Sequence, residues 1–136
     1  MNIVERYTGI QDVCKAIGSD GCHFLTLCSI AEQYLDKPID FFGLVKHCLD
    51  TQWVTEDFYV NNDGTPILQY LTNKKWTRKE VAELPHIWYN DYSEAVYYNP
   101  RTKYHHFRRR AVDTLNHSIT VAEGYIEKYY IYTVED

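Results

Sequence analysis

The chain reads as an α+β protein in which helices of the first half pack on an antiparallel sheet built from the second half. Three observations predict this. Apolar residues recur at helical spacing from Cys22 to Leu35, with Phe24, Leu27, Cys28, Ala31, Tyr34 and Leu35 on one face. Prolines and small polar residues then break the next stretch into short helical segments. From Pro85 onward the texture changes to aromatic and β-branched runs of strand length.

The elements follow in order. Residues 8–16 fit either a short strand or a turn of helix, and the pattern leaves both open. The helix that starts at Cys22 carries Thr26, Ser29, Gln33 and Asp36 on its polar side. It stops near Asp36, because Pro38 cannot continue the ladder and restricts the residue before it. Asp40 is placed to cap a second helix from Phe41 to Leu49, with Phe41, Leu44, Val45 and Cys48 sharing a face. Asn61-Asn62-Asp63-Gly64 is the strongest turn signal. Thr65 as N-cap and Pro66 as first helical residue predict a short helix through Leu71. Thr77-Arg78-Lys79-Glu80 has capping-box spacing and predicts a brief helix to Leu84. His86 to Tyr89, Glu94 to Tyr98, Lys103 to Arg109 and Tyr125 to Val134 are strand candidates, with a hairpin turn at Asn99-Pro100-Arg101-Thr102. On the last strand Ile126, Lys128, Tyr130 and Tyr132 share a face.

A length of 136 residues suits one domain, taken here as 1–136, that can bury a core without staples. A hydrophobic share of 45% and a charged share of 24% exclude a disordered tail or a fibre. The formal charge of −5 disfavours general binding to a phosphate backbone. The first residues show neither the basic lead nor the apolar run of a secretion signal, and no segment has the length of a membrane span. Cys14, Cys22, Cys28 and Cys48 are irregularly spaced with no C-x-x-C pair, so reduced thiols in a cytoplasmic setting are expected.

The candidate chemistry starts at Cys22. A cysteine at a helix N-terminus meets unpaired backbone N–H groups and the positive end of the dipole, which favour the thiolate. The same position also suits an inert buried thiol. The partner expected for a nucleophile is a histidine on the sheet. His105 and His106 are adjacent, so in a strand only one of them can face the helix end. His106, with Asp113 following after room for a bend, gives a set in which Cys22 attacks, His106 transfers protons and Asp113 orients the ring.

The run Asp20-Gly21-Cys22-His23-Phe24-Leu25-Thr26-Leu27-Cys28-Ser29-Ile30-Ala31-Glu32 resembles the first block of a family of small uncharacterised proteins of phages, prophages and spirochaete plasmids. The stretches His106-Phe107-Arg108, Val112 to Leu115, Ser118 to Val121 and Gly124 to Glu127 are similar to that family's last block. Asp57 to Asn61 resembles its middle one. That family in turn resembles papain-like cysteine peptidases of the compact kind that process bacteriocin leaders. The resemblance implies a papain-like cysteine peptidase fold and a thiol hydrolase acting on a peptide or isopeptide bond. Cys22, His106 and Asp113 would stand at the nucleophile, base and orienting positions, and no cofactor or metal would be needed. The chain departs from the papain pattern at Ala16, where an oxyanion-hole glutamine is usual, and Gln11 lies farther off. Losing one such donor typically slows a reaction about a hundredfold or more.

That departure keeps a second expectation in view. An inactive papain-like protein of a mobile element could bind a host protein, for example by covering the basic nucleic-acid channel of a defence nuclease. The expected partners are thus a peptide or protein substrate, or such a host target, with no membrane partner. The basic cluster of Arg101, Lys103 and Arg108-Arg109-Arg110 reads as a solvated strand edge rather than a nucleic-acid site. Trp53, Trp76 and Trp88 read as core residues. His23, His47, His86 and His117 show no metal-ligand spacing.

Overall fold

The computed structural model describes residues 2–83, 92–109 and 122–135. Among the described residues, four helices precede and flank a four-stranded antiparallel sheet, as the α+β reading expects. Asn2 opens helix α1 (Ile3–Asp20) by accepting the Val4 N–H at 2.8 Å. The segment that sequence left open as strand or helix is the middle of this helix. The helix meets the rest through its C-terminal half: Ile17 is buried in the core, and Val13 and Ala16 pack against it.

Gly21 joins α1 to α2 (Cys22–Leu35) with no intervening loop. Its N–H donates to the Ile17 carbonyl at 3.0 Å, and its own carbonyl receives the Leu25 N–H at 2.8 Å. A Cβ here would lie 2.6 Å from the Ile17 carbonyl oxygen, so close approach is what requires glycine at this position. Helix α2 is the spine of the core. Phe24, Leu27, Ile30 and Ala31 are fully buried, and α2 ends where Asp36 turns left-handed, at the boundary the sequence predicts.

Asp40 caps α3 (Phe41–Asp50) by accepting the Gly43 N–H at 3.1 Å, as expected. Helix α4 (Thr65–Thr72) begins one residue earlier than predicted. Gly64 is its N-cap, and Asp63 receives both the N–H and the hydroxyl of Thr65. Thr26, expected on the polar side of α2, is instead fully buried, because α2 is covered on more than one side. Its hydroxyl donates to the Cys22 carbonyl at 2.7 Å, which makes the burial tolerable.

The largest correction concerns residues 77–84. The predicted helix is instead strand β1 (Lys75–Val81), paired antiparallel with the last strand. The capping-box spacing is a local signal, and the ladder with Tyr129 to Glu135 of the last strand outweighs it. Trp76 also fixes the segment by burying its ring and donating from Nε1 to the Thr72 hydroxyl at 2.8 Å. Strands β2 (Tyr92–Asn99), β3 (Tyr104–Arg108) and β4 (Tyr125–Glu135) fall on three of the four predicted runs. The fourth, His86 to Tyr89, lies outside the described residues, as does Trp88.

The described strands run in the order β1-β4-β2-β3, with β3 at an edge among them. The β2–β3 hairpin turns where expected. The Asn99 side chain accepts the Arg101 and Thr102 N–H groups, and Lys103 takes a positive φ. Register places Trp76, Arg78, Glu94, Val96, Phe107, Tyr130 and Tyr132 on one face, and Trp76 and Tyr132 from this face join the helical core. No helix among the described residues is long and apolar enough to cross a membrane.

Candidate functional site

The first turn of α2 meets the edge of the sheet at β3. Cys22 opens that turn and is 5% exposed. Backbone N–H groups of Phe107 on β3, of His23 and of Cys22 itself are directed at its sulfur. These donors favour the thiolate, as a helix N-terminus should. Burial outweighs them and pushes the thiol above its ordinary pKa, with the Glu94 carboxylate adding to the rise. Burial and Glu94 therefore favour the neutral thiol, and the backbone donors offset only part of that rise.

The sequence-derived partner His106 lies on β3, next in the chain to Phe107, and is fully buried. In the ladder it pairs with Tyr97 in β2, whereas Phe107 pairs with Val96. The two side chains therefore leave β3 on opposite faces. Phe107 turns toward α2 and stacks on the His23 ring with centroids 4.1 Å apart. The Cys22 sulfur thus meets the backbone of β3, while the His106 ring leaves that strand on the other face, away from α2. His105 is partly exposed and lies 3.5 Å from Glu127. Asp113, the third expected member, lies outside the described residues.

At the outer side of the thiol stands Tyr59, an exposed ring whose hydroxyl bonds to the Asp20 carboxylate at the end of α1. Partial burial and Asp20 together hold the Tyr59 phenol above its usual pKa. Ala16 and Gln11, the two positions weighed for an oxyanion glutamine, are both within α1, and Gln11 is exposed. No family model, curated protein or solved structure matches this chain.

Beneath the thiol lies a buried polar cluster that the sequence reading missed. His23 Nδ1 sits 2.9 Å from Glu94 Oε1 and 3.1 Å from Oε2. The Tyr132 hydroxyl donates to Glu94 Oε1 at 2.9 Å. A carboxylate only accepts, so the His23 ring carries its Nδ1 proton toward Glu94. Glu94 itself is 1% exposed. Arg78 bonds to the Tyr132 hydroxyl and places its guanidinium 4.1 Å above the Tyr130 ring. Burial, followed by Glu94, drives the Tyr132 phenol well above its ordinary pKa. Asp63 faces Arg78 and His23. Burial alone would raise its pKa, yet the Thr65 donors and Arg78 bring it below the usual carboxylate value. One signal in the sequence could have exposed this cluster. Period-two alternation through Tyr92, Glu94 and Val96 puts a carboxylate on an apolar face, where it needs donors.

Two members of the basic cluster, expected as a solvated strand edge, are engaged within the molecule. Arg109 reaches α2 at Gln33 and Ser29, and Arg101 forms a two-pronged bond with Glu123 at 2.6 and 3.0 Å. Trp76 is a core residue as expected, and Trp53 is half-buried beside His47 and Tyr70. Arg110 lies outside the described residues.

Proposed function

We propose that the protein is a papain-like thiol hydrolase of a phage or other mobile element, with Cys22 attacking the carbonyl of a peptide or isopeptide bond. The observation that carries this reading is the seating of the Cys22 sulfur, at the start of a buried helix, against the strand that bears His106. A thiol raised by burial needs a base at the moment of attack; His106, whose ring leaves β3 on the face opposite Phe107, would have to turn toward α2 to fill that role. The proton passes from sulfur to the imidazole while the new S–C bond forms. It then goes to the leaving amine as the C–N bond breaks, giving a thioester. Water attacks the thioester, the imidazole takes its proton and returns it to sulfur, and a carboxylic acid leaves. Asp113 would hold the imidazole in the required tautomer. Backbone donors at the start of α2 would receive the oxyanion, in place of the glutamine replaced by Ala16.

Cys14 is an exposed thiol on α1 and serves as an internal reference. In limited alkylation of the native chain read by peptide mass spectrometry, Cys22 should react faster than Cys14 near neutral pH despite its burial. His106→Ala should remove that advantage and leave Cys14 labelling unchanged. Cys22 labelling no faster than Cys14, or indifferent to His106→Ala, overturns the reading and leaves the binding-protein alternative.

A further inference from the structure

We propose that the buried His23–Glu94–Tyr132 cluster controls Cys22, with Glu94 as the positioning residue that holds the His23 end of the first turn of α2 and so sets the reactivity of the sulfur. The inference rests on the reading of Cys22 as a nucleophile and adds a control from outside the Cys22, His106 and Asp113 set.

Three observations carry it. Cys22 and His23 are consecutive in the first turn of α2, and the His23 N–H is one of the donors to the sulfur. Holding the His23 ring therefore holds the backbone that cradles the thiol. The ring is held on two sides, by the Phe107 stack at 4.1 Å and by both oxygens of Glu94. Glu94 is 1% exposed and accepts from both His23 and Tyr132, so its carboxylate is fixed in place beneath the first turn of α2. Its charge faces Cys22 and opposes a second negative charge there, while donors from His23 and Tyr132 draw that charge away.

The charged and titratable groups around this arrangement come from every neighbouring element. Asp20 stands at the end of α1, and Asp57, Tyr59 and Asp63 lie between α3 and α4. Arg78 reaches in from β1, His106 lies on β3, and Lys128, Tyr130 and Tyr132 lie on β4. Among the described residues, Glu94 is the carboxylate that acts on both the sulfur and the His23 ring.

The two ends of the His23–Glu94 bond should act in opposite directions. Glu94→Gln keeps an acceptor of the same shape and removes the charge. It should lower the Cys22 titration midpoint and raise its alkylation near neutral pH several-fold, since one pKa unit is tenfold in thiolate. His23→Phe keeps a ring to stack on Phe107 and removes the donor, so it should shift both readouts the other way. A merely structural role would move both variants alike, or neither. The measurement is the pH titration of the Cys22 13Cβ resonance in the full chain, with alkylation relative to Cys14 beside it. If His23→Phe does not fold, Tyr132→Phe deletes one donor oxygen and should give a smaller upward shift. An unmoved midpoint in Glu94→Gln overturns the proposal even if wild-type Cys22 proves reactive. A moved midpoint with an unreactive wild-type Cys22 instead sinks the hydrolase reading and leaves this coupling standing.

Discussion

Cys22 and Cys28 lie on one helix, roughly a turn and a half apart, and both are buried, yet their surroundings differ in kind. Cys28 belongs to an apolar layer with Leu27, Ile30, Leu44 and Cys48. Burial raises its thiol, and the nearby Cys48 and Glu32 raise it further, far beyond the ordinary range. Burial raises Cys22 as well, but backbone donors from two elements oppose it. The comparison teaches that burial alone does not separate an inert thiol from a usable one. What separates them is how much the backbone offsets burial: Cys28 has its own N–H alone, whereas Cys22 at a helix start also has those of His23 and of Phe107 on β3.

The contrast can be broken most severely from the apolar end. Phe24 is fully buried against Phe41 and Phe58, and Phe24→Ala should cost about 3–5 kcal/mol of stability in urea unfolding. At the polar end, Glu94→Ala strands the His23 and Tyr132 donors in the interior and should cost on the order of 3 kcal/mol, whereas Glu94→Gln should cost less. The ratio of these two losses in denaturant titrations measures how far the polar cluster shares in holding the fold. Gly21→Ala sharpens the comparison differently. Its Cβ meets the Ile17 carbonyl, so the α1–α2 junction must shift, at about 1–3 kcal/mol. Cys22 labelling should slow while Cys28 stays protected, which peptide-resolved alkylation would show.

The last contrast is silent at neutral pH and emerges in alkali. Burial pushes the Cys48 thiol up from 9.0 to about 12. Above about pH 9 the unfolded chain sheds this proton before the folded one does. The stability contributed by the neutral buried thiol is therefore complete below that pH and lost as pH rises toward 12. Cys48→Ala should flatten this part of the stability–pH curve in unfolding titrations, and Cys14→Ala should leave it unchanged.

Local chemistry made much of the fold legible. The α2 boundaries, the Asp40 cap, the Asn99 hairpin turn and three strands follow from spacing, capping and turn residues that act within a few positions. Residues 77–84 misled because their capping-box pattern is equally local, while the pairing of β1 with β4 joins distant parts of the chain. Cys22 was legible as a helix-start thiol for the same reason. His23 and Glu94 were not, since neither residue reveals its partner until the sheet is folded under the helix.

The amino-acid order by itself determined where helices start, where turns fall and that a thiol would open the central helix, because caps, glycines and prolines act on their immediate neighbours. Only the tertiary structure decided that the Phe107 backbone would face that thiol and that Glu94 would lie buried beneath it. Those relations depend on strand order and register, which are set by packing across the whole chain.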